Sequence, residues 1–190
     1  MLSRILAFLL ETGFFLLIAS ALLRAWMNWL RINMSTPPGS LVMTLTSWLV
    51  KPLRRVLPQS LVQSRLDWAS LLAAGAMALG YALLGWLLFG LWLGQMGLGF
   101  GPLILLSLLG LALKMLLKVA LQTLFTLVLG YALLSWVQPG SPAYALLGRL
   151  TEPVLAPLRR LIPAVGGVDL SALALMLVLQ IALMVLMVLG

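Results

Sequence analysis

The sequence predicts an all-α membrane protein: about four transmembrane helices arranged as two parallel-related hairpin repeats, each with an amphipathic interfacial helix in its loop. Three observations predict it. Of 190 residues, 63% are hydrophobic and only 8% charged, against roughly 45–50% and about 25% in an average soluble domain. Four apolar runs, at about 5–27, 69–93, 119–137 and 170–189, reach the roughly 18 or more residues that a bilayer crossing requires. Finally, Pro52-Leu-Arg-Arg-Val-Leu-Pro58 recurs as Pro157-Leu-Arg-Arg-Leu-Ile-Pro163, so the chain reads as two related halves.

The first run is too long for the 7–15 apolar residues of a signal peptide and lacks a small-residue cleavage site, so it is expected to be a retained helix. The loop that follows carries Arg31, Lys51, Arg54, Arg55 and Arg65. The loop between the last two runs carries Arg149, Arg159 and Arg160. By the positive-inside rule both basic loops are cytoplasmic and both termini are periplasmic, in a bacterial inner membrane. Trp26, Trp29, Trp68 and Trp136 then fall at the inner boundary, with Trp86 and Trp92 at the outer one, as an aromatic belt. Residues 1–93 form the first hairpin and 119–190 the second. Because each contains an even number of spans, the repeats are parallel rather than inverted.

Within the loops the spacing predicts helices over about 41–57 and 143–162. In the first, Leu41, Leu45, Trp48, Leu49, Leu53 and Val56 share one face, opposite Thr44, Ser47, Lys51, Arg54 and Arg55. The second sets Leu146, Leu150, Val154, Leu158 and Leu161 against Arg149, Glu152, Arg159 and Arg160. Such helices suit a membrane surface, with leucines in the acyl boundary and guanidinium forks on lipid phosphates. Arg54, Arg55, Arg159 and Arg160 are therefore the candidate lipid or partner-binding residues. Asp67 and Asp169 precede their spans where N-caps belong, with pairing to the nearby arginines as the alternative. The connection 94–118 contains a turn from Gly94 to Gly101 and Pro102 at a helix start. The stretch 103–137 reads equally as one long helix or as an interfacial piece followed by a span.

Polar residues inside the spans are costly and need partners. Glu11 is expected to pair with Lys118. Lys114, Lys118, Gln122, Thr126 and Gly130 form a four-residue row along the third span. Gln180, deep in the fourth span, is expected to bond a polar neighbour such as Thr126. In the second span Ala74, Ala78 and Ala82 form one small-residue row and Ala76 and Gly80 another, predicting close helix packing.

With no histidine or cysteine and only four acidic residues, the chain lacks a nucleophile–base pair, a carboxylate dyad and a metal cluster. Gly97-Leu-Gly-Phe-Gly101 lacks the strand and lysine of a phosphate loop. No enzyme activity, cofactor or metal is expected, and haem ligation through Met or Tyr is disfavoured because the methionines lie in apolar helices. The net charge of +8 is not read as nucleic-acid binding, since the basic clusters sit in amphipathic segments flanked by spans. The expected partners are the bilayer, anionic lipid head groups and a membrane protein, with homo-oligomerisation left open.

The doubled Pro-Leu-Arg-Arg-x-(Leu/Ile)-Pro, Thr151-Glu-Pro153, Gly166-Gly-Val-Asp-Leu-Ser171 and Leu22-Leu-Arg-Ala-Trp-Met-Asn-Trp29 together resemble the YggT family over essentially the whole chain. The first copy departs from the family pattern: Thr46-Ser47-Trp48 stands for Thr-(Asn/Gln/Glu)-Pro, and Gln59 to Arg65 stands for the Gly-Gly turn. The resemblance implies a small inner-membrane protein. Its bacterial relatives are linked to osmotic or extracytoplasmic stress, and its plastid relatives, including YlmG, to cytochrome-complex assembly. Two functions follow: a non-enzymatic scaffold or assembly factor, or a small channel or transporter using the polar row and Glu11.

Overall fold

The computed structural model describes residues 1–35, 37–58, 66–90, 102–161 and 169–188. Among these residues the chain is all helical: α1 (Leu2–Trp29), α2 (Gly39–Val56), α3 (Trp68–Gly85, followed by a π-helical turn Trp86–Gly90), α4 (Pro102–Val137), α5 (Pro142–Leu161) and α6 (Leu170–Val188). Four helices are long and apolar enough to cross a membrane, at Ser3–Trp29, Trp68–Leu88, Ile104–Val137 and Leu170–Val188. The predicted turn at 94–101 lies outside the described residues. The stretch 103–137 is one helix: α4 runs without a break from Pro102 for 36 residues. It contains no internal proline, and its apolar content extends well before residue 119. The apolar helix that could cross a membrane thus extends to Ile104, some fifteen residues before the expected start of the third span.

The chain forms two compact units, Met1–Val119 and Ala120–Gly190. In the first, Ile18 and Ala21 of α1 pack against Ala74, Met77, Ala78 and Ala82 of α3 and against Leu108, Ala112, Met115 and Val119 of α4. The Ala74, Ala78 and Ala82 row is buried, and its small side chains let α1 and α3 approach closely. Gly80, from the other row, lies against the Phe14 ring, while Ala76 is exposed. The C-terminus of α1 closes as a Schellman turn. Ile32 N–H donates to Met27 C=O at 3.0 Å and Arg31 N–H to Asn28 C=O at 3.1 Å. Arg31 takes the left-handed backbone conformation, φ 53°, that usually belongs to glycine there. Buried Ile32 anchors the turn. Gly39 then starts α2 so close to Met34 that a Cβ would stand 2.6 Å from its Cα, so only glycine fits.

Helix α2 packs with a face offset from the one its sequence pattern suggests, overlapping it at Leu49 and Leu53. Gly39, Val42, Thr46 and Val50 are the buried residues, and Val50 packs on Ala69 and Ala73 of α3. Leu41, Leu45 and Trp48 are exposed. The reason is geometric: the protein-facing side of α2 is centred between the leucine stripe and Arg54, and takes in Leu49 and Leu53 at its edge. That leaves Leu41, Leu45 and Trp48 free to face lipid.

In the second unit the equivalent helix differs. Leu150 and Leu155 of α5 are fully buried, and Leu155 joins Val128 and Tyr131 of α4 with Ala172, Leu175 and Leu179 of α6. Val154 and Leu158 pack on the same cluster. Much of the leucine face expected to enter the bilayer is thus spent on the protein's own core. Ser141 caps α5 by accepting from Tyr144 N–H at 3.1 Å, with Pro142 in the first turn where no N–H is needed.

Candidate functional site

The basic loop helices are tied to the mouths of the following spans by an arginine–aspartate clasp, formed once in each unit. In the first, Arg54 Nη2 donates to Asp67 Oδ2 at 2.8 Å. Asp67 also caps α3, accepting from Ser70 N–H at 3.3 Å and from Ser70 Oγ at 2.8 Å. In the second, Arg159 donates to Asp169 Oδ2 from Nε at 3.0 Å and Nη2 at 2.8 Å. Asp169 caps α6 through Ser171 N–H at 3.1 Å and Ser171 Oγ. Capping and arginine pairing, set out as alternatives from sequence, occur on the same carboxylate. A carboxylate has about four lone-pair sites, enough for both.

Of the four candidate arginines, therefore, two are engaged and two are not. Arg55 and Arg160 are exposed, and neither has an ion-pair partner among the described residues. The cause is helix phase. Successive residues differ by 100° around an α-helix, so when Arg54 or Arg159 points at the span mouth its neighbour points away.

The surroundings of the two clasps differ. Beside Asp67, Arg24 is 6% exposed and donates from Nη1 to Thr46 Oγ1 at 2.9 Å; it is repelled by Arg54 and attracted by Asp67. Asn28, one turn further along α1, donates to Asp67 Oδ2 at 3.4 Å. One carboxylate thus serves two cations. In the second unit two carboxylates serve one cation: Arg159 Nη1 also meets Glu152 at 2.7 Å. Its Nη2 donates to Tyr131 OH at 2.9 Å, and the guanidinium lies 5.6 Å from the Tyr131 ring centre. Tyr131 stacks on Tyr144 at 5.1 Å. Burial opposes the charge on Arg159, but the Asp169 hydrogen bond and the neighbouring charges hold its pKa above the usual value. Burial likewise opposes the Asp169 carboxylate, yet hydrogen bonds from Ser171 and Arg159 keep its pKa below the ordinary 3.8.

Arg24, Asn28, Thr46, Tyr131 and Tyr144 were missed by sequence reasoning. A signal existed: Arg24 precedes Trp29 by the same spacing as Tyr131 precedes Trp136. Charge patterning overlooks that correspondence because a tyrosine stands where the first half has an arginine.

Within the spans, Lys118 Nζ meets Glu11 Oε1 at 2.5 Å. Lys114 is half-buried and has no ion-pair partner among the described residues. Gln180 does not reach Thr126. Both are exposed, and the Thr126 hydroxyl donates instead to the Gln122 carbonyl of its own helix at 2.8 Å, the local bond that a helical threonine can always make. Beside the second clasp lies a crevice of about 210 Å³ between α4 and α6, lined by Leu129, Leu133, Trp136, Leu173, Met176 and Asp169 among others.

This arrangement can bind and hold; among the described residues it offers exposed guanidinium groups and half-exposed leucines at one end of each unit. A family model described as CCB3/YggT matches residues 3–88 and 110–190. The chain is 36% identical to "Uncharacterized protein YggT" of Escherichia coli (strain K12), over 93% of this chain and 86% of that one. It is 35% identical to "Uncharacterized protein in proC 3'region" of Vibrio alginolyticus, over 93% and 90%. It is also 33% identical to an uncharacterized Pseudomonas aeruginosa protein, over 92% and 84%. No solved structure matches. With a family model covering both its halves and relatives aligned over most of their length, this chain belongs to the CCB3/YggT family.

Proposed function

We propose that the protein is a non-enzymatic scaffold or assembly factor of a bacterial inner membrane, whose cytoplasmic loop helices hold anionic lipid or an acidic segment of a membrane-protein partner. The observation that carries this reading is the split within each arginine pair. Arg54 and Arg159 fasten their helices to the next span, while Arg55, one turn from Lys51, and Arg160 stay exposed. A guanidinium fork is matched to phosphate and carboxylate, and each such charge near an anionic surface contributes about 1 kcal/mol. In the first unit the exposed Leu41, Leu45 and Trp48 adjoin these cations, as an interfacial helix requires. A part in stress tolerance or cytochrome-complex assembly would be an outcome of such organising. Ion conduction has weaker support, since Lys118 is engaged with Glu11 and Gln122 and Thr126 lie on an exposed helix face.

The test compares two variants by native mass spectrometry of retained anionic lipid and by crosslinking from the loops in native membranes. Arg55→Gln with Arg160→Gln should lose lipid or partner capture while keeping wild-type thermal stability. Replacing Arg54, Arg55, Arg159 and Arg160 together by lysine should keep orientation, read as shielding of Ser35→Cys from impermeant thiol reagents, yet still weaken capture. If both variants capture as wild type does, the arginines serve only to set topology and the binding role is wrong.

A further inference from the structure

Gln180 stands in mid-span. It lies ten residues after Leu170 and eight before Val188, so about 12–15 Å of helix separates it from either end. That distance is beyond the reach of its short side chain to head groups. It is exposed and makes no side-chain hydrogen bond among the described residues. An amide in hydrocarbon without a partner is costly.

Gln180 is not isolated on its surface. The core side of α6 is Ala172, Leu175, Leu179 and Leu183. A separate exposed stripe runs through Leu173, Leu177, Gln180, Met184 and Met187, whose alternating spacings of four and three are those of a helix–helix seam. The crevice between α4 and α6 adds a second amide. Leu129 and Leu173 both line it. Gln122 lies one heptad from Leu129, and Gln180 one heptad from Leu173, each in the direction leading away from Asp169. A heptad returns to nearly the same helix face, so both exposed amides flank this groove at about the same depth.

We infer that this groove is the interface of a symmetric homodimer, in which the α6 stripe of each copy seats against the other and Gln122 and Gln180 hydrogen-bond across the two-fold axis. A lipid chain could cover the leucines but would leave both amides unpaired. A second copy is the occupant whose chemistry is already determined. Inserted in the same orientation, it brings donor and acceptor amides at the same depth, and a C2 interface is self-complementary by construction. Leucine and methionine along the stripe supply the packing, and one polar layer would set its register.

The chain has no cysteine, so single-cysteine variants of this chain in lipid vesicles report the interface directly. Leu177→Cys and Met184→Cys should form disulfide-linked dimers readily, and Val178→Cys and Val185→Cys, off the stripe, poorly. Gln180→Leu should weaken the dimer, measured by dilution-dependent energy transfer, roughly three- to thirty-fold, as expected for one or two interhelical amide bonds in lipid. Gln122→Leu should weaken it in the same direction, and Gln180→Asn should restore part of the loss. Crosslinking equal on all faces, a monomer at every protein-to-lipid ratio, or an equilibrium indifferent to both leucine variants would each overturn the inference.

Discussion

Removing Asp67 should damage the protein more than removing Asp169, although each is the cap and arginine partner of its own clasp. The Asp67 side chain is 4% exposed and that of Asp169 is 24% exposed. Asp67→Ala removes the partner of Arg54 and leaves the buried Arg24, among the described residues, with its Thr46 bond against desolvation and the repulsion of Arg54. With Arg54 41% exposed and open to solvent, the cost is the cap, about 1 kcal/mol, plus the uncompensated charge of buried Arg24, which puts the total near the lower end of the roughly 3–5 kcal/mol for breaking a buried pair. Asp169→Ala forfeits a cap of about 1 kcal/mol and a partly exposed ion pair of at most about 1 kcal/mol after solvent screening. Arg159 would keep Glu152 and Tyr131, so the expected total is about 1–2 kcal/mol. Denaturation of the purified protein in a mild detergent gives both losses. Adding Arg24→Leu to Asp67→Ala should recover part of the damage, with a coupling of about 1–3 kcal/mol in the cycle. Equal losses for the two alanine variants, or an additive Arg24–Asp67 cycle, would refute the argument that burial and the second arginine make the first clasp the more demanding one.

Glu11→Gln and Lys118→Met should each lower detergent stability more than the double variant does, since each single change leaves one charge unpaired within a span; additive losses in the cycle would mean the two act independently. The Asp169 carboxyl has a folded pKa below its unfolded value near 3.8, so its contribution is fully present above about pH 4 and lost only as pH falls through the lower, folded value. Wild type minus Asp169→Asn, followed by acid titration of unfolding, should therefore show a stability difference that is flat from neutrality to about pH 4 and shrinks below it. A difference that shrinks already between pH 7 and 5 would contradict the assigned pairing.

Much of this architecture was legible in the residue pattern because a bilayer makes simple demands. A helix that crosses it needs a sufficient apolar length, so the four candidate spans could be read from composition, while the pattern left open whether 103–137 is one helix or two. Two acids preceding apolar runs marked the caps at Asp67 and Asp169, and a lone acid and a lysine in spans otherwise nearly free of charge pointed to Glu11 with Lys118. Tertiary packing alone decided the rest. A periodic pattern separates apolar from polar faces, but α2 turns an offset face, centred on Val42, Thr46 and Val50, toward α1 and α3, and α5 spends its leucines on the core of its own unit. Which arginine of each pair is held, and that Arg24 in one unit and Tyr131 in the other complete the clasps, depends on helix phase and on contacts between residues far apart in sequence. Those are set only when the helices have packed.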